Sequence, residues 1–170
     1  MNKAFTLVET LVVIVIIVIL SLIILPNYNS MRQQLAFQRS AFKLAQDIRT
    51  VQEMAMSAKE FEGETPEGGY GIHFSSVTSY IIFADDGNGK YSASEKVKDI
   101  SLENGIKINS ISPGLQAIIF FPPDPEIFFM NNGGNDIVSL DDITINIALS
   151  SDTSKNVNII INRAGLINIE

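Results

Sequence analysis

Glu9 is the residue whose type and place most call for a chemical explanation. From residue 5 to residue 25 only Thr6, Glu9, Thr10 and Ser21 interrupt an otherwise apolar run. A carboxylate at the centre of a bilayer costs about 2.5–3.5 kcal/mol, so acids in such places are usually paired. Near the start of a helix the cost falls, because the helix dipole favours an anion there. Two uses of Glu9 follow: an acid resting at a membrane interface, or an acid waiting for a cation.

The remaining chemistry-bearing residues give weaker patterns. Asp85-Asp86-Gly87-Asn88-Gly89-Lys90 invites a calcium loop, with Asp85, Asp86 and Asn88 as candidate ligands. Counted from Asp86, however, the fifth residue is Lys90, the sixth Tyr91 and the twelfth Val97, where an EF-hand needs an oxygen donor, Gly and Glu. A glycine-rich hairpin turn accounts for the same residues, so no cofactor is expected. A second acidic group, Asn135-Asp136 with Asp141-Asp142, has no ligand spacing of its own. His73 is the single histidine and lies between Ile72 and Phe74 in a strand-like stretch, which suits a strand surface better than a general base. With no cysteine there is no thiolate nucleophile, no disulfide and no cysteine-held metal. No G-x-S-x-G elbow, P-loop or H-E-x-x-H motif is present, and no enzymatic activity is expected.

The elements that must position these residues begin with the apolar run. As a helix rising about 1.5 Å per residue it is roughly 31 Å long, about one bilayer core. A cleaved secretory signal has an apolar stretch of about 7–15 residues followed by a small-residue site. This run is longer, and Leu25-Pro26-Asn27-Tyr28 is no such site, so composition alone gives a single-span anchor. The net charge of −7 over 170 residues is unevenly placed. Residues 26–60 hold five cations against three anions, and residues 61–170 hold six against fifteen. An acidic C-terminal part disfavours direct contact with nucleic acid, whose affinity comes from Lys and Arg on phosphates.

Ala4-Phe5-Thr6-Leu7-Val8-Glu9, with a basic leader before it and Pro26 closing the span, resembles the processing motif of type IV prepilins and type II secretion pseudopilins. Ala4 stands where that family usually has Gly. The resemblance implies that a prepilin peptidase cuts between Ala4 and Phe5 and that Phe5 is then N-methylated. Glu9 becomes the fifth mature residue, and Phe5, Glu9 and Pro26 serve assembly. It further implies a single-pass protein of the cytoplasmic (inner) membrane with its head on the extracytoplasmic side. Its partners would be other pilin or pseudopilin subunits and an inner-membrane assembly platform.

The resulting fold expectation is α+β. Residues 1–4 form the leader, 5–26 the membrane-spanning or filament-core helix, 27–60 an amphipathic stem helix, and 61–170 a β-rich head with an antiparallel sheet against the stem. Pro26 predicts a kink or break. Met31, Leu35, Phe42, Ala45, Ile48 and Ala55 supply the stem's apolar face, and Met54 and Met56 fill gaps beside the head. Period-two stretches follow at 70–74, 80–84, 106–108, 116–121, 143–147, 157–161 and 166–169. The stretch from Phe120 through Pro122, Pro123 and Pro125 to Met130 suits a loop over the sheet, or a docking surface. Segments 44–49, 69–72, 80–85 and 161–165 look like the minor pseudopilin H type group. A structural subunit is thus the leading expectation. A minor pilin of a DNA-uptake system and a single-pass anchored binding domain are the alternatives.

Overall fold

The computed structural model of the protein describes residues 6–122 and 126–170, with the side chains of 25–30 and 126 outside that description. One long helix, α1 (Leu7–Met56), precedes β1 (Tyr70–Ser76), β2 (Ser79–Ala84), β3 (Lys96–Ser101), β4 (Ile106–Ile111) and β5 (Ala117–Phe121). Then come β6 (Glu126–Met130), β7 (Asp142–Leu149), β8 (Asn156–Asn162) and β9 (Ile167–Ile169). The α+β class is as expected. Two compact units divide after Leu35, and the sheets belong with residues 36–170.

Two expectations about α1 need correcting. Helical residues run through position 26, so of the kink or break expected there the break is absent. A proline removes one backbone donor and crowds the preceding turn, but apolar surroundings make the remaining helical bonds obligatory. The stem also stops short of residue 60. Ala58 takes a left-handed φ of 47°. Its amide donates to the Ala55 carbonyl at 3.0 Å, and the Lys59 amide donates to Met54 at 3.1 Å. This is the Schellman ending that glycine usually provides, here built on alanine, and for that reason it left no mark in the sequence.

The buried stripe of residues 36–56 is Phe37, Ala41, Leu44, Ala45, Ile48, Val51 and Ala55, at three- and four-residue intervals. Met31, Leu35 and Phe42 from the expected apolar series are exposed, as is Met56, while Met54 packs at the core edge. Small residues at 41, 45 and 55 let the helix lie close to the sheets. The expected series had stepped onto the neighbouring stripe at Phe42.

Both sheets are antiparallel, in the orders β3-β2-β1-β5-β6 and β4-β7-β8-β9. Strict alternation puts Ile143, Ile145 and Ile147 of β7 and Ile159 and Ile161 of β8 into the same core as α1. From the other sheet Tyr70, Ile72, Tyr80, Ile82, Ile118, Phe120, Ile127 and Phe129 join it. Phe83, Ala117 and Ile119 point the other way, forming a second cluster beneath Tyr91, Phe128 and Met130. Gly71 makes room there, since a Cβ would stand 2.6 Å from Phe83 Cε1.

Two strands were not anticipated. β3 is short, charged and exposed at a sheet edge, so it carries little alternation. The 120–130 stretch is not a loop over the sheet. Phe121 ends β5, Ile127 of β6 pairs with Phe120, and the aromatic residues alternate between the core and an edge-to-face Phe121–Phe128 contact at 6.3 Å. Pro123, Asp124 and Pro125 lie outside the described residues.

One polar tie fixes the helix on the sheet. The buried Tyr80 hydroxyl donates to Asp47 Oδ2 at 2.6 Å, and Lys43 stands 3.8 Å from the same oxygen. Burial, helped by the bond to Asp47 and its charge, pushes the Tyr80 phenol far above the usual tyrosine range. Because the folded value lies above the unfolded one (about 10), this contribution is intact below that pH and is lost as pH rises through and beyond it. Tyr80→Phe is therefore expected to cost about 1 kcal/mol at neutral pH. It should also flatten the decline in stability above about pH 10. Urea denaturation at a series of pH values measures both effects.

Candidate assembly site

The start of α1 is a capping box. Thr6 Oγ1 accepts the Glu9 amide at 3.3 Å, and Glu9 Oε2 accepts both the Thr6 amide and the Thr6 hydroxyl at 2.9 Å. Threonine and glutamate three residues apart satisfy two otherwise orphaned helix donors in this way. The other polar interruptions of the apolar run are also answered within the helix. Thr10 Oγ1 donates to the Thr6 carbonyl at 3.4 Å and Ser21 Oγ to Ile17 at 2.8 Å. Glu9 Oε1 is different: among the described residues it accepts no bond, and no cation lies within ion-pair distance of it. Leu7–Ile24 is long and apolar enough to cross a membrane, and its large aliphatic side chains are exposed. Glu9 Oε1 is thus the one charged oxygen of this stretch that the described residues leave without a partner.

A model of the prokaryotic N-terminal methylation motif matches residues 1–25. The chain begins with a methylation motif. That motif spans the leader, Ala4, Phe5, Glu9 and the whole apolar run, and supports a type IV pilin-like protein that prepilin peptidase processes and that assembles with other pilin subunits. Together with the apolar helix it supports membrane anchoring. No curated protein and no solved structure matches the chain. Ala4 and Phe5 lie outside the described residues, as does the side chain of Pro26. Of the assembly residues named from sequence, Glu9 alone is described at side-chain level, and Thr6, which holds it, was counted only as an interruption. A threonine three residues before a glutamate at a helix start is the signal that finds it.

Away from the methylation motif, the acidic groups are occupied by their own backbone. Asp85 is buried and accepts the Gly87 amide at 3.2 Å and the Gly89 amide at 3.1 Å. Asp86 Oδ1 accepts the Asn88 amide, and Asn88 Oδ1 accepts the Lys90 amide. Glu95, absent from the sequence candidates, bonds the Asp86 and Ser92 amides at 3.1 and 2.6 Å. Carboxylate oxygens of Asp85, Asp86 and Glu95 come within 4.8 Å of one another. Burial pushes the Asp85 carboxyl up, with Glu95 and Asp86 adding to the rise and the Gly89 and Gly87 amides opposing it. The loop closes the long β2–β3 connection, and a side chain at Gly68 would collide with Asp85. His73 is half-buried and stacks on Tyr91 at 4.9 Å, and burial lowers its imidazole pKa.

The second acidic group is split up. Asp136 pairs with Arg163 at 3.1 Å and accepts the Phe129 amide at 2.9 Å, while the Asp141 carbonyl accepts the Arg163 amide. Arg163 donates to the carbonyls of Leu140 (2.8 Å), Ile127 (3.2 Å) and Ile137 (2.8 Å), and its guanidinium lies 5.0 Å from the Phe129 ring centre. This residue, which the sequence analysis met only within the 161–165 segment, staples the β8–β9 corner to the 127–140 segment.

Proposed function

We propose that the chain is a structural, minor subunit of a type II secretion pseudopilus or a type IV pilus-like filament, nearest the pseudopilin H type. Prepilin peptidase cuts between Ala4 and Phe5, Phe5 is N-methylated, and residues 5–26 hold the subunit in the cytoplasmic membrane with the head on the extracytoplasmic side. An inner-membrane platform then passes it into a filament whose core is the packed N-terminal helices. The role is structural and not enzymatic.

The observation that carries this reading is the carboxylate of Glu9, with one oxygen unspent, inside an exposed apolar helix within a methylation motif. Cleavage at Phe5 creates a cation one helical turn away, at the end of the helix where the dipole disfavours it. A neighbouring helix displaced along the axis brings the amine of one copy to the acid of the next. Such pairing specifies register, which aliphatic packing alone does poorly. The mass of the N-terminal peptide of protein purified from its native membranes tests the processing step. A peptide beginning at methylated Phe5 is expected; one beginning at Met1 would leave a plain membrane anchor carrying a binding domain.

A further inference from the structure

We propose that Asn104 is a site of spontaneous chemical modification. The Gly105 amide nitrogen attacks its side chain and leaves aspartate or isoaspartate in the turn between β3 and β4.

The chain has three Asn-Gly steps, at 88–89, 104–105 and 132–133. A glycine after asparagine leaves the attacking nitrogen unshielded by a side chain and its backbone free to turn. Sequence therefore ranks the three steps alike, and the fold separates them. The Gly89 amide is buried and donates to both carboxylate oxygens of Asp85, at 3.1 and 3.2 Å. Asn88 Oδ1, on the carbonyl that would be attacked, accepts the Lys90 amide at 2.7 Å. The Gly133 amide donates to Asn131 Oδ1, also at 2.7 Å. A nitrogen held in this way must break its bond before it can reach a side-chain carbon. Asn104 and Gly105 are both exposed. Among the described residues, neither the Gly105 amide, the Asn104 carbonyl nor the Asn104 side chain has a hydrogen-bond partner. The Ile106 amide closes the turn on the Glu103 carbonyl at 3.1 Å. Inside that turn the Asn104–Gly105 peptide plane can flip without breaking a bond. Gly105 has a φ of 85° and open space where a Cβ would stand, so its backbone has room for the flip.

In the reaction the Gly105 nitrogen loses its proton and bonds to Asn104 Cγ. The Cγ–Nδ2 bond breaks, ammonia leaves, and a succinimide ring closes. Water then opens the ring. Attack at Cγ gives aspartate, and attack at the backbone carbonyl carbon gives isoaspartate, whose main chain is one atom longer. Either product sets a second carboxylate beside Glu103. It does so in the turn that joins the two sheets and meets α1, where the Glu103 amide donates to Ser40 Oγ at 3.4 Å.

The full chain is kept folded in detergent, in mildly alkaline buffer made with heavy-oxygen water, and then digested. Each deamidation fixes one heavy oxygen, so mass spectrometry of the peptides counts events at the three steps separately. Label is expected at residue 104 about tenfold faster than at 88 or 132, the effect of one hydrogen bond that must first break. In urea the unfolded chain should label all three at similar rates. Asn131→Ala frees the Gly133 amide and is expected to raise labelling at 132 about tenfold while leaving 104 unchanged. Equal rates at the three steps of the folded chain overturn the proposal. So does the same ranking in the unfolded chain, or the absence of a rise at 132 in Asn131→Ala.

Discussion

Glu9→Ala is expected to yield a subunit that is processed and membrane-inserted but enters the filament at no more than about a hundredth of the parent level. That fold-change corresponds to about 2.7 kcal/mol, within the range for a charge-assisted pair in a dry setting. The direction of the insertion effect makes the result diagnostic. Replacing an acid by alanine within an apolar span lowers the cost of insertion by up to about 2.5–3.5 kcal/mol, so the variant monomer sits more comfortably in lipid than the parent. A loss of assembly then reflects a missing partner contact and not a damaged anchor. Glu9→Gln refines the test, because it preserves the size and the Thr6 contacts of the side chain while removing the charge. Immunoblots of sheared filaments against membranes read both variants.

The second large effect belongs to the head. Arg163→Ala removes the donor to three carbonyls and leaves Asp136 without its cation. Loss of one partner from a buried ionic network costs about 3–5 kcal/mol, and the roughly one-quarter exposure of Arg163 points to the lower end, about 3 kcal/mol. The melting temperature of the full chain in detergent should fall by about 10 °C. Arg163→Lys should recover little of it, because a single ammonium cannot serve Leu140, Ile127, Ile137 and Asp136 from one place. A fall of 2 °C or less in Arg163→Ala would mean that the 127–140 segment is held by its apolar contacts alone.

How much of this was legible in the sequence follows from the range of the interactions. The apolar run, the acid within it and the alternating strands β7 and β8 are local patterns, and each appears where the residues placed it. The stem's end was missed because Ala58 adopts a glycine's conformation. The helix face was misassigned at Phe42 because an exposed phenylalanine and a buried one look alike until the sheets are in place. β6 was hidden by the prolines before it, although Ile127 and Phe129 alternate as a strand should. Arg163 and Asp136 lie 27 residues apart, and only tertiary folding joins them. Glu95 likewise joins Asp85 and Asp86 only through the turn of the 85–95 loop.

The pairing itself is open to a direct chemical measurement. A hydrophobic, zero-length carbodiimide applied to intact filaments joins an amine to a carboxylate only when the two already touch. With isotopically light and heavy copies mixed before assembly, the predicted product is an amide between the N-terminal nitrogen of Phe5 in one copy and the Glu9 carboxylate in another, including light–heavy pairs. Recovery of Glu9 unmodified in every copy, or linked only to the amine of its own chain, would contradict the account.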